Sequence, residues 1–432
     1  MKLLKTFLIF SFFPLMILAQ EYDVVLQREK ILPSVLIGSI QQKKEEKLLS
    51  TFLNVLQSDI RLSGLFHEPD LLVVSHEDSS KLKDGWLQDY AVFMKYQDSK
   101  FFLDVYESKN RTKLFSLNSD VLKTSSNTRK IAHALFDQMV FRLLNKKTIV
   151  NSRILYTVRS KKDEEFISEV WMCDYDGYNA KQLTYEKSYG VNPIFVPNRF
   201  GSSHYIFISF KNGQSKLFLG SLDGDKIFPI MPLKGNQLLP SISLSGDKLA
   251  FVSDASGRAD LFVQHLNKNG VFLGKPQQIF SKPRSIQASS SFAPDGKQIV
   301  FVSDKDGSPR LYLMGLGQNR ASSRPKVELI SLKNRQNGSP SWSYDGRKIA
   351  FVAKTEGIYQ IWIYDLETKE EWQLTKGLEN KENPSFAKDS LHLVYNTEGK
   401  EGAKLYLINL MDKKPMLITK EHQECRFPSF EP

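Results

Sequence analysis

A chain of 432 residues with 59 basic and 48 acidic residues carries a formal net charge of +11, modest for its length. The basic residues are dispersed and mostly adjoin Asp or Glu, so the excess describes a solvated surface and excludes a nucleic-acid stripe. The chain has two cysteines, Cys173 and Cys425, which an export signal would place where disulfides can form.

Lys2 and Lys5 precede an apolar run over residues 7–18, and Ala19 supplies the small residue at which a signal peptidase cuts. Residues 1–19 are therefore expected to be a secretory signal peptide. The run is too short to span a bilayer, and no later run approaches the roughly 20 residues needed. No Cys follows the cut, so lipid attachment is not expected. The next segment, Gln20, Glu21, Tyr22, Asp23, Val24 and Val25, is β-forming but belongs to no repeat. A chain end with few contacts can detach and add as a strand to a partner's sheet.

From residue 20 to about 150 the pattern predicts a small α/β domain. Strands are expected at 35–40, 71–74, 91–96, 101–106 and 113–117. A helix over 43–61 puts Leu48, Phe52, Val55, Leu56 and Ile60 on one face and stops at Ser63-Gly64. The dense charge run at its start, residues 41–47, has mixed sign. A second helix over 128–144 carries the stripe Ile131, Leu135, Met139 and Leu143. Residues 145–153 form a short polar linker.

The remainder, 151–432, is built on one repeated unit. Its best copy reads Ser339-Pro340-Ser341-Trp342, then a turn at Asp345-Gly346, then the apolar strand Ile349-Ala350-Phe351-Val352. That strand does not alternate, so both of its faces are expected to be buried between layers. Further copies lead from Pro193, Pro240, Ser290 and Pro384 to similar apolar strands, and each unit adds two more short strands. Four strands per repeat of 44 to 50 residues indicate a β-propeller. At the two ends, Ile154-Leu155-Tyr156 opens a set of outer strands without an inner strand, and Pro428-Ser429-Phe430 is an inner strand with nothing after it. Joining them gives six blades. The expected fold is therefore α+β with two domains, a small N-terminal α/β domain followed by a six-bladed β-propeller closed by the C-terminal strand.

Little in the chain points to chemistry. His67, His76, His133, His204, His265, His392 and His422 are scattered singly and expected in surface or capping roles, not as metal ligands. Asp174-x-Asp176-Gly177 and Asp304-x-Asp306-Gly307 resemble calcium loops but do not continue to the acidic residue that completes one, so they are expected to be blade turns. Propellers of this type also gate serine peptidases, yet no Gly-x-Ser-x-Gly elbow occurs and the first domain is too small for a hydrolase sheet. No enzyme and no cofactor is expected. Closing the ring puts Cys173 on the third strand of a blade and Cys425 just before its inner strand, too far apart to bridge, so both are expected as free thiols. The recurring Phe195, Phe292, Trp342, Phe386 and Phe430 are expected in the inter-blade core. Function is left to the surface, above all to the loops leading into the inner strands at the channel mouth. Those loops are polar and nearly free of aromatics, which favours a protein partner over a small ligand or glycan in the channel, the alternative reading.

The repeats Leu244-Ser245-Gly246-Asp247-Lys248-Leu249-Ala250-Phe251 and Ala293-Pro294-Asp295-Gly296-Lys297-Gln298-Ile299 resemble those of the TolB family, the periplasmic propeller proteins of the Tol-Pal cell-envelope system. Asp174-Tyr175-Asp176-Gly177-Tyr178-Asn179, Asp59-Ile60-Arg61-Leu62-Ser63-Gly64-Leu65-Phe66 and Phe427-Pro428-Ser429-Phe430 are similar to more specific signatures of that family. The resemblance implies a monomeric, non-enzymatic periplasmic protein that touches membranes only through partners and serves outer-membrane integrity and constriction at cell division. It implies that the peptidoglycan-associated lipoprotein Pal docks at the propeller mouth, with the family's residues falling on Asn236, Leu239 and Ala288; the loops entering the inner strands add Gln237, Gln287, Asn337, Ser339, Glu382 and Asn383 as candidate contacts. It implies that TolA is contacted through the arm of Gln20, Glu21, Tyr22, Asp23, Val24 and Val25. Where relatives often have a His-Asn-Gly-Ala-Pro run, this chain has Asn236-Gln237-Leu238-Leu239-Pro240.

Overall fold

The computed structural model describes residues 32–432 apart from 41–45, 75–85, 120–126, 163–164, 198–203, 225, 268–270, 318–325, 401 and 420–422. The expected leader and the arm from Gln20 to Val25 lie outside the described residues.

The first part runs β1 (Val35–Ile40), α1 (Glu46–Ser63), β2 (Asp70–Val74), β3 (Tyr90–Gln97), β4 (Lys100–Glu107), β5 (Thr112–Asn118) and α2 (Thr128–Leu144). Its sheet has the order β2-β1-β3-β4-β5, with β1 parallel to both neighbours and the remaining pairs antiparallel. α1 buries Leu49, Phe52, Leu53, Val55, Leu56 and Ile60 against this sheet. Leu48, expected on that face, is 39% exposed, and its place is taken by Leu49 one position on. α2 has the predicted bounds. Asn127 caps it by accepting from the Arg129 amide, and Asn145 ends it in the left-handed region.

On β4, Asp104 is buried yet accepts from Lys95, Lys113 and Ser116, each at 2.6 Å. Burial alone would raise this carboxyl, but the two ammonium groups and the hydroxyl outweigh it and hold the pKa at about 2. Its contribution is therefore present above the unfolded carboxylate value of about 4 and is lost as pH falls from there towards 2. Both lysines are half-exposed, so screening leaves about 1–2 kcal/mol. Asp104→Asn should cost that much at pH 7, and denaturant titration should find the gap to wild type closing near pH 2.

The strands from Arg153 onward form six four-stranded sheets. In the fifth blade the order from the channel outward is Asn337–Trp342, Lys348–Thr355, Ile358–Asp365 and Glu371–Gln373. Ile349, Ala350 and Phe351 are fully buried and Val352 nearly so, as a strand sandwiched between neighbouring blades requires. Each of these side chains contributes about 2 kcal/mol by its removal from water, Ala350 less. The first blade takes its inner strand, Glu424–Phe430, from the far end of the chain. That strand pairs antiparallel with Arg153–Lys162, which pairs with Glu165–Asp174 and then Lys181–Gln182. Cys173 and Cys425 are both buried and free. Cys425 lies within the inner strand, not before it; its ladder partner is Val158, whereas that of Cys173 is Ile154.

The first part rests on the turns of blades one and six. Leu62 and Gly64 at the end of α1 meet His392 and Asn409, and Asp59 and Arg129 meet Tyr175 and Asp176. His133 and His392 are buried, contrary to the expectation of surface roles, because each is hydrogen-bonded to a carboxylate that the fold brings beside it.

Candidate partner-binding face of the propeller

Each inner strand carries a register shift against its neighbour, and the same two positions are skipped every time. They are Asn192-Pro193, Leu239-Pro240, Ser339-Pro340, Asn383-Pro384 and Phe427-Pro428, and in blade four the pair Ala288-Ser289, displaced by one. In the five blades with a proline, the residue before it is left-handed, with φ between 44° and 53° at Asn192, Leu239, Ser339, Asn383 and Phe427. A bulge of this kind turns a short piece of backbone towards the axis without breaking the outer ladder. Non-glycine residues in the left-handed region cost of order 1–3 kcal/mol each, so the ring of bulges is a ring of held strain. In blade four, Ser290 replaces the proline and Ser289 is not among the left-handed residues.

The residue after the proline explains the repeated serine. Ser291, Ser341 and Ser385 accept through their hydroxyls from the backbone amides of Trp342, Phe386 and Phe430 in the next blade, at 3.0, 3.0 and 3.1 Å. The following aromatics are 2–7% exposed and lie between blades, so they hold the ring together and offer no stacking platform. Inside the ring is a cavity of about 230 Å³ that extends from the bulges to Pro197, Leu244, Pro294, Tyr344 and Pro432.

The expected mouth residues separate into three groups. Leu239, Ser339 and Asn383 line the channel cavity, and Ser339 donates to the Asn383 side chain at 3.1 Å. Gln237, Gln287 and Asn337 occupy one repeat position and are buried, which corrects their placement on the surface. Gln237 accepts from the Leu217 amide and donates to the Met231 and Leu233 carbonyls; Gln287 donates to Ser285; Asn337 accepts from Ser331. Their amides fasten each inner strand to the preceding loop. Asn236, Ala288 and Glu382 are half-buried beside them. Asn236 is held by Asp254 and Ser215, and Ala288 packs on the core between blades four and five. Burial, with the Glu398 charge close by, pushes the Glu382 carboxyl up. Burial likewise pushes the Lys381 ammonium down. Arg426 closes the seam between blades six and one, donating to both oxygens of Glu398 at 2.8 and 2.5 Å and to Glu424 at 2.9 Å.

What the sequence reading missed on this face are the exposed apolar side chains of the connections into the inner strands. Tyr185, Ile286, Leu332 and Leu378 are 65%, 56%, 67% and 93% exposed. A lone apolar residue in a polar loop is unremarkable in sequence. Only the ring, which repeats the same loop, gathers them on one face. Both calcium-like segments are turns: Gly177 donates to the Asp174 carbonyl and Gly307 to that of Asp304. Asp176 pairs with Arg129, and Asp306 accepts from Lys305 and the Tyr312 hydroxyl.

Comparison with known proteins agrees with this architecture. A family model described as the TolB beta propeller domain matches residues 140–432. A protein named TolB homolog from Protochlamydia amoebophila is 43% identical over 318 residues, 69% of this chain and 68% of the relative. Another TolB homolog, from Chlamydia pneumoniae, is 35% identical over 431 residues, covering 98% of this chain and 96% of the relative. The crystal structure of TolB from Acinetobacter baumannii superposes with a TM-score of 0.72 at 21% identity, over 93% of this chain and 97% of that one, which is a likeness of fold. The chain belongs to the TolB family.

Proposed function

We propose that this protein is a non-enzymatic, partner-binding member of the Tol-Pal system in the periplasm, with residues 20–150 and 151–432 as its two domains and 1–19 as a cleaved leader. The observation that carries the reading is the 35% identity to a TolB homolog across 98% of the chain. Pal docks on the mouth face and TolA takes the arm from Gln20 to Val25, as a strand added to its own sheet. The result is coupling between the outer membrane and the envelope machinery during constriction. No helix among the described residues is long and apolar enough to cross a membrane.

The geometry changes how the docking site is best tested. Leu239 and Ala288 pack against the core and Leu239 has φ 51°, so replacing them perturbs the fold as well as the surface. Leu332 and Leu378 are mostly exposed and separate the two effects. Leu332→Asp with Leu378→Asp should weaken Pal at least about tenfold, as for truncated interface anchors, with the melting midpoint unchanged. Deleting Gln20 to Val25 should abolish TolA binding and spare Pal binding. Calorimetric titration of both partners decides it: unaltered Pal affinity in the double variant removes the mouth face from the proposal, and TolA affinity that survives the deletion removes the arm.

A further inference from the structure

Two histidines are buried where the N-terminal domain meets the propeller, and each is flanked by acceptors on both ring nitrogens. His392 is 1% exposed; its Nδ1 lies 2.6 Å from Asp389 Oδ2 and its Nε2 2.7 Å from the Leu62 carbonyl at the end of α1. His133 on α2 is 3% exposed; its Nδ1 lies 2.8 Å from Asp59 Oδ2, and its Nε2, without a hydrogen bond, is 3.9 Å from Asp176 Oδ2. A neutral imidazole donates from one nitrogen only. In that form His133 donates to only one of its two carboxylates, and His392 leaves the Leu62 carbonyl without a donor.

For His392 the alternative arrangement is also present. Asn409 Oδ1 accepts from the Met411 amide at 2.8 Å, which turns its Nδ2 towards His392 Nε2 at 3.0 Å. With the ring doubly protonated, Nε2 donates to Leu62 and the helix end is held. With the ring neutral and Nδ1 donating to Asp389, Nε2 accepts from Asn409 and opposes the Leu62 carbonyl with a lone pair. The propeller is then satisfied internally and α1 is released.

The charge balance points the same way. The side chains of Asp59, Asp176 and Asp389 are 0%, 7% and 10% exposed, against one guanidinium, that of Arg129, which pairs with Asp176 and lies over Tyr178. Tyr175 donates to Asp59 at 2.5 Å, and Lys146 and Lys147 line the adjoining cavity with Tyr175, Asp389 and His392. Uncompensated buried carboxylates are costly, and two imidazolium rings bring the buried set to neutrality. Burial pushes the Asp59 carboxyl up, which favours a proton on the Asp59–His133 pair. Although burial alone would raise Asp389, its hydrogen bond from His392 holds it down.

We infer that docking of the N-terminal domain on the propeller is a proton-dependent latch, in which His392 and His133 take up protons as the interface closes and release them as it opens. The docked state then binds more protons than the undocked one, so the latch tightens as pH falls and loosens as it rises. This inference stands on the interface geometry and does not depend on which partners the protein binds.

The test is amide hydrogen exchange of the whole mature protein at about pH 6 and about pH 8.5, corrected for intrinsic exchange rates. Segments at Leu62 to Phe66, Tyr175 to Gly177 and Leu391 to His392 should lose at least about tenfold protection at the higher pH, the change one linked proton gives per pH unit. The strands Lys248–Ser253 and Gln298–Ser303 should not change. In His133→Gln/His392→Gln the interface should be equally protected at both pH values. Equal protection in the wild type, or a pH dependence that survives in the double variant, overturns the latch. Should the variant lose protection in the distant blades as well, imidazole nitrogen shifts of the wild type decide: doubly protonated rings at pH 6 are expected, and neutral tautomers at both pH values overturn the inference.

Discussion

A chain cut after Gln423 should unfold without a single cooperative transition and bind an apolar dye in its native buffer. The cut removes Glu424–Phe430, which fills the space beside Arg153–Lys162 with five ladder pairs and buries Cys425 and Phe430. It also removes the amide of Phe430 that donates to Ser385, the Arg426 clamp on Glu398, and Glu431, whose carboxylate accepts from Arg153 at 2.9 and 2.5 Å. Losing one buried Phe alone costs about 3–5 kcal/mol. The larger effect is topological, since Arg153–Lys162 becomes an open edge and the stack of blades is no longer a ring. Guanidinium unfolding followed by fluorescence should show a broadened transition with a lowered slope, and an unchanged midpoint and slope would refute closure as the source of cooperativity.

The ring could be read from the sequence because its signal is local and repeated. An unbroken apolar strand after a turn says the same thing in each copy, with Asp-Gly as the turn in two of them, and the orphan strands at the two ends have one economical pairing. The bulges were hidden, since the left-handed residues are Asn, Leu, Ser, Asn and Phe, types that share no backbone preference. Their only trace is the proline that follows. Gln237, Gln287 and Asn337 were misplaced on the surface although the clue was available: an amide side chain at one repeat position serves the repeat, not a partner. The interface pairs Asp59 with His133 and Leu62 with His392 were beyond reach, because each joins residues 74 and 330 positions apart that only the assembled fold brings together.

The family signature at Asp174 to Asn179 acquires a physical reading from the same interface, and two glycines in turns of the same Asp-x-Asp-Gly sequence, one after the third strand of blade one and one after the second strand of blade four, isolate it. Gly177 and Gly307 both close an Asp-x-Asp-Gly turn with left-handed backbone, φ 84° and 94°. A Cβ on Gly307 would meet nothing within 4 Å. A Cβ on Gly177 would fall far inside contact distance of the Ile418 carbonyl, backbone against backbone, at the seam between blades one and six. Gly307→Ala should therefore cost only the left-handed strain, about 1 kcal/mol. Gly177→Ala carries the same strain and must also move the turn. That shift pulls Tyr175 from Asp59 and Asp176 from Arg129, one a buried and one a part-buried hydrogen bond, whose loss costs about 1–3 kcal/mol each. The expected total for Gly177→Ala is about 3–7 kcal/mol, with faster exchange at Leu62 to Phe66, at and just beyond the end of the helix that the turn supports. Equilibrium unfolding of the two variants side by side measures the difference, and equal destabilisation would mean that the turn of the first blade bears no more on the fold than that of the fourth.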